Sequence, residues 1–274
     1  MTEIDTGTAD LLASVEAGVG TVVLNRPASR NAITGEMLTV LGEVLERFDR
    51  APEVGAIVLT GAGGAFCSGG DVSGFAERGG DTPVGTETSA DWCVRRLATQ
   101  RATVGRLHAT DTPSIAALTG ATAGAGLSLA LACDLRVGSP STMVSSAFVK
   151  VGLPGDFGVS WLLRRLVGPS TAARLMLLSE RLDGDQAAAL GLIDFFVPAD
   201  QVGAEAQRLA AVLAAAPRGA VVAIRQNLRD GAALDLDAAM VAEVRRYRAC
   251  ADSTEHQDAV RAFAESRRAR AGRG

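Results

Sequence analysis

The chain has 274 residues, 47% of them hydrophobic, and a formal net charge of −4; that length suits one large domain, or one with a terminal appendage, and supports a core without disulfide staples. Charged and small residues interrupt every apolar run before the ~18 positions needed to span a bilayer. The polar start, Met1 to Asp10, has no signal-peptide pattern, and the negative balance gives nucleic acid no electrostatic support. Cys67, Cys93, Cys133 and Cys250 make no CxxC or Cys/His metal spacing, so reduced thiols in a cytoplasmic protein without a metal site are expected. Only Lys150 among the 27 basic residues is lysine, so any phosphate contact falls to arginine.

Two strand-like runs open the chain, Leu11–Val15 and Thr21–Leu24, around a turn signal at Gly18–Gly20. Thr34 starts a helix whose Leu38, Leu41, Val44, Leu45 and Phe48 share one face. Ala56–Leu59 reads as a buried strand that ends in the glycine-rich loop Gly61–Gly64. The Gly- and Pro-punctuated stretch Gly74–Thr88 reads as a mobile loop. A helix over Ala90–Thr110 stops before Pro113, followed by a strand at Ser114–Leu118 and a small-residue turn at Gly120–Gly126. A short apolar helix covers Ala125–Ala132, then a strand Leu135–Val137 and helices at Ser160–Leu166 and Ala172–Leu178. Strand signals stop near 197. Helices near 200–215, 219–229 and 237–268 follow, the last of them broken near Ser253. The expected organisation is therefore an α/β core over 1–197 and a helical region over 198–274.

Two glycine-rich segments, Ala65–Asp71 and Gly120–Gly126, each follow a strand, and the second runs into a helix. A helix start offers unpaired N–H groups at the positive end of a dipole. One N–H from each turn, aimed at a carbonyl oxygen, would form an oxyanion hole; the alternative is two tight turns where only small residues fit. Other readings fail on spacing. Gly124-Ala-Gly126 lacks the third glycine of GxGxxG, no GK[ST] follows either loop, and Ser68 is not set in GxSxG.

Taken in order, Leu24-Asn-Arg-Pro27 with Asn31-Ala32, Gly64–Asp71, Pro113–Ala116, Gly120–Gly126, Ala132-Cys-Asp134, Val151-Gly-Leu-Pro154 and Asp183–Leu192 resemble the crotonase superfamily, the enoyl-CoA hydratase/isomerase family. The resemblance runs over about residues 10 to 270. It implies a spiral of ββα units with a C-terminal helical region that builds homotrimers, often paired into hexamers. It also implies an acyl-CoA thioester as substrate, with no cofactor beyond the coenzyme A it carries. The oxyanion donors fall on the N–H groups of Gly70 and Ala125. Coenzyme A contacts fall on Ala28, Ser29 and Arg30 and on Ser68, Gly70, Asp71, Val72 and Ser73. Gly124, Ser128 and Phe148 complete the expected binding set. Ser73 stands where many relatives carry lysine, which would move a phosphate contact to Arg30.

The departures concern the chemistry. Hydratases of this kind use two glutamates to hold and activate water; their places correspond to Ser128 and Phe148. A hydroxyl and a phenyl ring cannot do that work. Asp156, in Gly155-Asp-Phe-Gly158, falls where isomerase branches and chlorobenzoyl-CoA dehalogenases place a catalytic aspartate. It suits a proton shuttle, or else it caps the following helix. The only histidines, His108 and His256, read as surface residues. The expected activity is thus double-bond isomerisation of an enoyl-CoA. The alternatives are a hydratase-like lyase with an atypical water site and a catalytically silent acyl-CoA-binding protein.

Overall fold

Leu11 and Ala13 are buried while Leu12 is exposed, the alternation of a strand with one wet face. Strands β1 (Thr2–Ile4), β2 (Leu11–Glu16) and β3 (Val19–Leu24) form an antiparallel meander. The computed structural model describes residues 1–73, 83 and 85–271. The first hairpin turn falls at Ala17–Gly18, both with positive φ, as a two-residue turn of the primed type requires. Gly20 belongs to β3 instead, paired with Val15 and Ile57, and a Cβ there would lie 2.8 Å from the ring of Phe48.

That ring arrives on α1 (Gly35–Arg50), whose N-cap Thr34 accepts a hydrogen bond from the N–H of Met37. The five apolar residues expected on one face of α1 are all buried. The helix carries the chain across to β4 (Ala56–Gly61), parallel to β3.

From β4 onward the strands come in pairs. β4, β6 (Ser114–Ala117) and β8 (Leu135–Gly138) extend the first sheet, which ends at β11 (Phe195–Phe196). Their successors β5 (Ala65–Cys67), β7 (Ala121–Ala123) and β9 (Met143–Ser145) form a second, parallel set edged by β10 (Arg181–Leu182). A helical segment follows each pair, so the ββα spiral implied by the sequence is present. Ala121–Ala123, expected as a turn, is strand. A three-residue strand shows no alternation long enough to read, and pairing to β5 and β9 is what extends it.

The helix expected at Ala90–Thr110 is α2 (Ser89–Gln100), a π turn at Arg101–Gly105 and α3 (Arg106–Ala109). The capping box between Thr88 and Asp91 starts it. The loop read at Gly74–Thr88 lies mostly outside the described residues. Helix α4 (Ala125–Ala132) is buried along its whole length, which explains why its sequence carries no polar face. Helix α5 (Val159–Leu178) breaks at Gly168, before Pro169, where the sequence reading separates two helices.

Helices α6 (Gly184–Ala189), α7 (Val202–Ala214), α8 (Arg218–Gly231), α9 (Leu236–Ala251) and α10 (Thr254–Ala271) complete the chain. The molecule divides into two compact units, Met1–Ala211 and Val212–Gly274; the last strand ends at Phe196, and the boundary between the units falls within α7, most of which belongs to the first. In the second unit Arg246 binds Gln226, Asn227 and Asp230 at 3.1, 2.7 and 2.6 Å and so ties α9 to α8. No single helix among the described residues is long and apolar enough to cross a membrane.

Candidate active site

β5 and β7 are parallel neighbours, so the turns at their C-terminal ends lie side by side. Gly69 and Gly124 let these turns touch. A Cβ on Gly69 would meet the Ala123 carbonyl oxygen at 3.4 Å, and one on Gly124 would meet Cα of Gly69 at 3.4 Å. Both have positive φ, and Gly124 with ψ −125° occupies a region essentially closed to L side chains.

The peptide hydrogen bonds around these turns decide which N–H groups are left over. Ile33 bridges the first turn: its N–H donates to Gly69 O at 2.8 Å, and its carbonyl accepts from Asp71 N at 2.9 Å. In a parallel bridge of this kind the flanking residues make both bonds, and the N–H of Gly70 points away. Ala125 is the first residue of α4, whose first turn of N–H groups has no intrahelical acceptor. Neither N–H has an acceptor among the described residues. Ala125 keeps φ out of the positive range, so its Cβ is tolerated there.

The Gly70 turn is fastened from behind. Arg26 donates from Nη1 to Ala32 O at 2.6 Å and to Asp71 Oδ2 at 2.9 Å, and lies 3.3 Å from Asp10. Ser73 donates to the other oxygen of Asp71. These donors, Ser73 and then Arg26, hold the Asp71 carboxyl below its ordinary value of 3.8. Asn31, fully buried, donates to Ala62 O and Ala65 O and accepts from Arg26 N. Cys67 lies under the turn, and burial pushes its thiol up to about 12, so it fills space rather than attacks anything.

Both free N–H groups border a cavity of about 660 Å³. Ser29, Ser68, Gly70, Asp71, Val72, Ser73, Gly124, Ala125, Phe148 and Asp156 all line it. Ala28, Arg30 and Ser128 are expected site residues that do not. Arg30 instead holds the loop, its carbonyl accepting from Ser68 N at 2.9 Å. Ser128 is fully buried, and its hydroxyl donates to the main-chain carbonyl of Asp156 at 3.1 Å. Ser128 therefore anchors the loop that carries Asp156.

The carboxylate of Asp156 accepts from Arg96, from Gln100 and from the N–H of Phe157. It is not set among apolar side chains alone, nor is it the cap of α5, whose N-cap is Gly158. Arg96 also lines the cavity, its guanidinium 5.4 Å from the Phe157 ring and 5.7 Å from that of Trp92. Sequence reasoning missed Arg26, Arg96 and Gln100. The one available signal is that Arg96 and Gln100 stand four apart on one helix face, yet their partner is 60 and 56 residues away. His108 is outside the cavity and meets Trp161 edge-on at 5.0 Å.

A ββα spiral whose paired turns open on one cavity is the architecture of the crotonase superfamily. A family model described as enoyl-CoA hydratase/isomerase matches residues 14–272, and the chain belongs to that family. It is 34% identical over 257 residues to a 1,2-epoxyphenylacetyl-CoA isomerase of Escherichia coli K12, covering 94% of this chain and 96% of the relative. It is 37% identical over 230 residues to a protein of Mycobacterium tuberculosis named a probable enoyl-CoA hydratase, covering 83% and 85%. Among solved structures, an enoyl-CoA hydratase from Polaromonas sp. JS666 matches with a TM-score of 0.85 at 26% identity, over 93% of this chain and 97% of that one.

Proposed function

We propose that this acyl-CoA enzyme shifts the double bond of an enoyl-CoA thioester. Asp156 takes a proton from the α or γ carbon, and the electrons move onto the thioester oxygen as an enolate. The N–H groups of Gly70 and Ala125 stabilise that oxyanion, and Asp156 returns the proton to the other carbon. Proton and charge balance within one substrate, so no further cofactor is required. The observation that carries this reading is that Asp156 lines the same cavity as the two unpaired N–H groups. Ser29 and Ser68 to Ser73 lie where coenzyme A is expected to bind, and the second helical unit is assigned to assembly of a homotrimer or hexamer.

The Arg96–Asp156 ion pair favours the second reading, a binder of acyl-CoA whose base is occupied. A hydratase-like lyase has support in the names of relatives such as the M. tuberculosis protein. One experiment separates all three. Wild type and Asp156→Asn are incubated with 3-hexenoyl-CoA and with crotonyl-CoA in deuterated water, and the thioesters are analysed by mass spectrometry. Isomerisation that falls about 10²-fold or more in the variant, with hexanoyl-CoA binding kept, supports the proposal. Binding without conversion by wild type selects the silent binder. Hydration of crotonyl-CoA that survives the substitution selects the lyase.

A further inference from the structure

We propose that Gln100 and Arg96 are positioning residues that divide the two carboxylate oxygens of Asp156, leaving Oδ2 as the atom that carries the proton. This rests on the isomerase reading above. An ionised carboxylate has about four acceptor sites, two on each oxygen. On Oδ1 both are taken, by Gln100 Nε2 and by Phe157 N at 2.9 Å. Oδ2 receives one donor, Nη2 of Arg96, so its second site is open to a substrate proton.

The main chain beneath the carboxylate is fixed as firmly. The Asp156 carbonyl accepts from Ser128 Oγ at 3.1 Å and from Val159 N at 3.2 Å. Gly155, Phe157 and Gly158 around it all have positive φ, at 129°, 51° and 68°. For phenylalanine that conformation persists only where the surroundings dictate it. Arg96 is itself held between the rings of Trp92 and Phe157. The consequence is a carboxyl group that cannot rotate. A proton accepted on Oδ2 stays on the cavity side and is returned to the same substrate molecule. Release of Oδ1 would let the protonated carboxyl turn, and rotation in the ps to ns range outruns turnover. The Asp156 side chain is 14% exposed, so a turning carboxyl would trade its proton with water.

The test compares wild type with Gln100→Met, Arg96→Gln and Arg96→Lys on 3-hexenoyl-CoA in deuterated water. Two quantities are read: kcat, and deuterium incorporated per 2-hexenoyl-CoA formed. Gln100 is not on the cavity lining, so Gln100→Met is expected to keep KM within about twofold while kcat falls about tenfold. Incorporation should rise toward about one deuteron per turnover. Arg96→Gln should lose at least as much rate, and Arg96→Lys should recover part of it, because a single nitrogen reaches Oδ2. Arg95→Gln, on the same helix but paired with Glu87, is the control expected to match wild type. If Gln100→Met does not fold, Gln100→Asn, too short to reach Oδ1, carries the same expectation. An unchanged incorporation ratio in a folded Gln100 variant that binds hexanoyl-CoA overturns the proposal and leaves the isomerase reading standing. Conversion that survives Asp156→Asn, or a wild type that neither converts 3-hexenoyl-CoA nor exchanges the α protons of hexanoyl-CoA, overturns both.

Discussion

A backbone donor cannot be removed by trimming a side chain, so Gly70 allows a sharp contrast at the residue scale. A Cβ on Gly70 meets nothing within 4 Å, so Gly70→Ala keeps both the fold and the N–H. Gly70→Pro removes the donor, at the cost of fixing φ there. The expected outcome is kcat within about tenfold of wild type for alanine and a loss of about 10² to 10³ for proline, measured on 3-hexenoyl-CoA. Equal activity in the two variants would remove Gly70 from the oxyanion hole. The residues on the cavity wall were legible because glycine and small-residue patterns mark close backbone approach, and the structure shows that approach at Gly69 and Gly124. Ser128 was legible only as a missing glutamate. Its bond to the Asp156 carbonyl depends on how α4 packs beside the 155–158 loop, which residue types in one segment do not encode.

Between elements, the tie that matters most to the site runs from the β3–α1 connection to the β5 turn, through Arg26 and Asp71. The Asp71 carboxyl is held below its ordinary value of 3.8 by Ser73 and Arg26. A depressed value in the folded state means that the contribution of Asp71 to stability is fully present above about pH 4 and is lost as pH falls through the folded value. Urea unfolding midpoints measured from pH 6 to pH 2.5 should therefore show a gap between wild type and Asp71→Asn that narrows on the acid side. A gap that stays constant across this range would mean that the ionised Asp71 carboxylate, with Ser73 and Arg26 on it, adds nothing to folding. The long elements were readable: α1 shows its buried face in the 3.6 period, and α4 shows total burial as a run without charge. The strands β5, β7 and β9 to β11 are two or three residues long and exist because partners pair with them. Arg26 stands in the Leu24-Asn-Arg-Pro27 motif, yet only the folded chain places Asp71 beside it.

For the whole molecule, the decisive feature is how the second unit exposes its apolar side chains. No hydrophobic residue after Ala210 is buried among the described residues. Leu236 is 75% exposed, Tyr247 74% and Leu228 72%. Helices that bury no apolar side chain gain little from packing, and packing is what normally stabilises helices of this length. Association with further copies of the chain would cover these side chains, and apolar surface of this extent commonly marks an interface. Static light scattering is expected to give the mass of a trimer or a hexamer at micromolar concentration. Leu228→Asp combined with Tyr247→Asp should lower that mass to the monomer and reduce thermal stability in a concentration-independent way, since the assembled state no longer contributes by mass action. A wild-type monomer across that concentration range would sink the assembly proposal. A double variant that keeps the wild-type mass would place the interface elsewhere. The sequence already indicated that 198–274 is helical, but the assembly role came with the family resemblance. Exposure is a property of the folded unit, and only there do Leu228, Leu236 and Tyr247 stand out as side chains without cover.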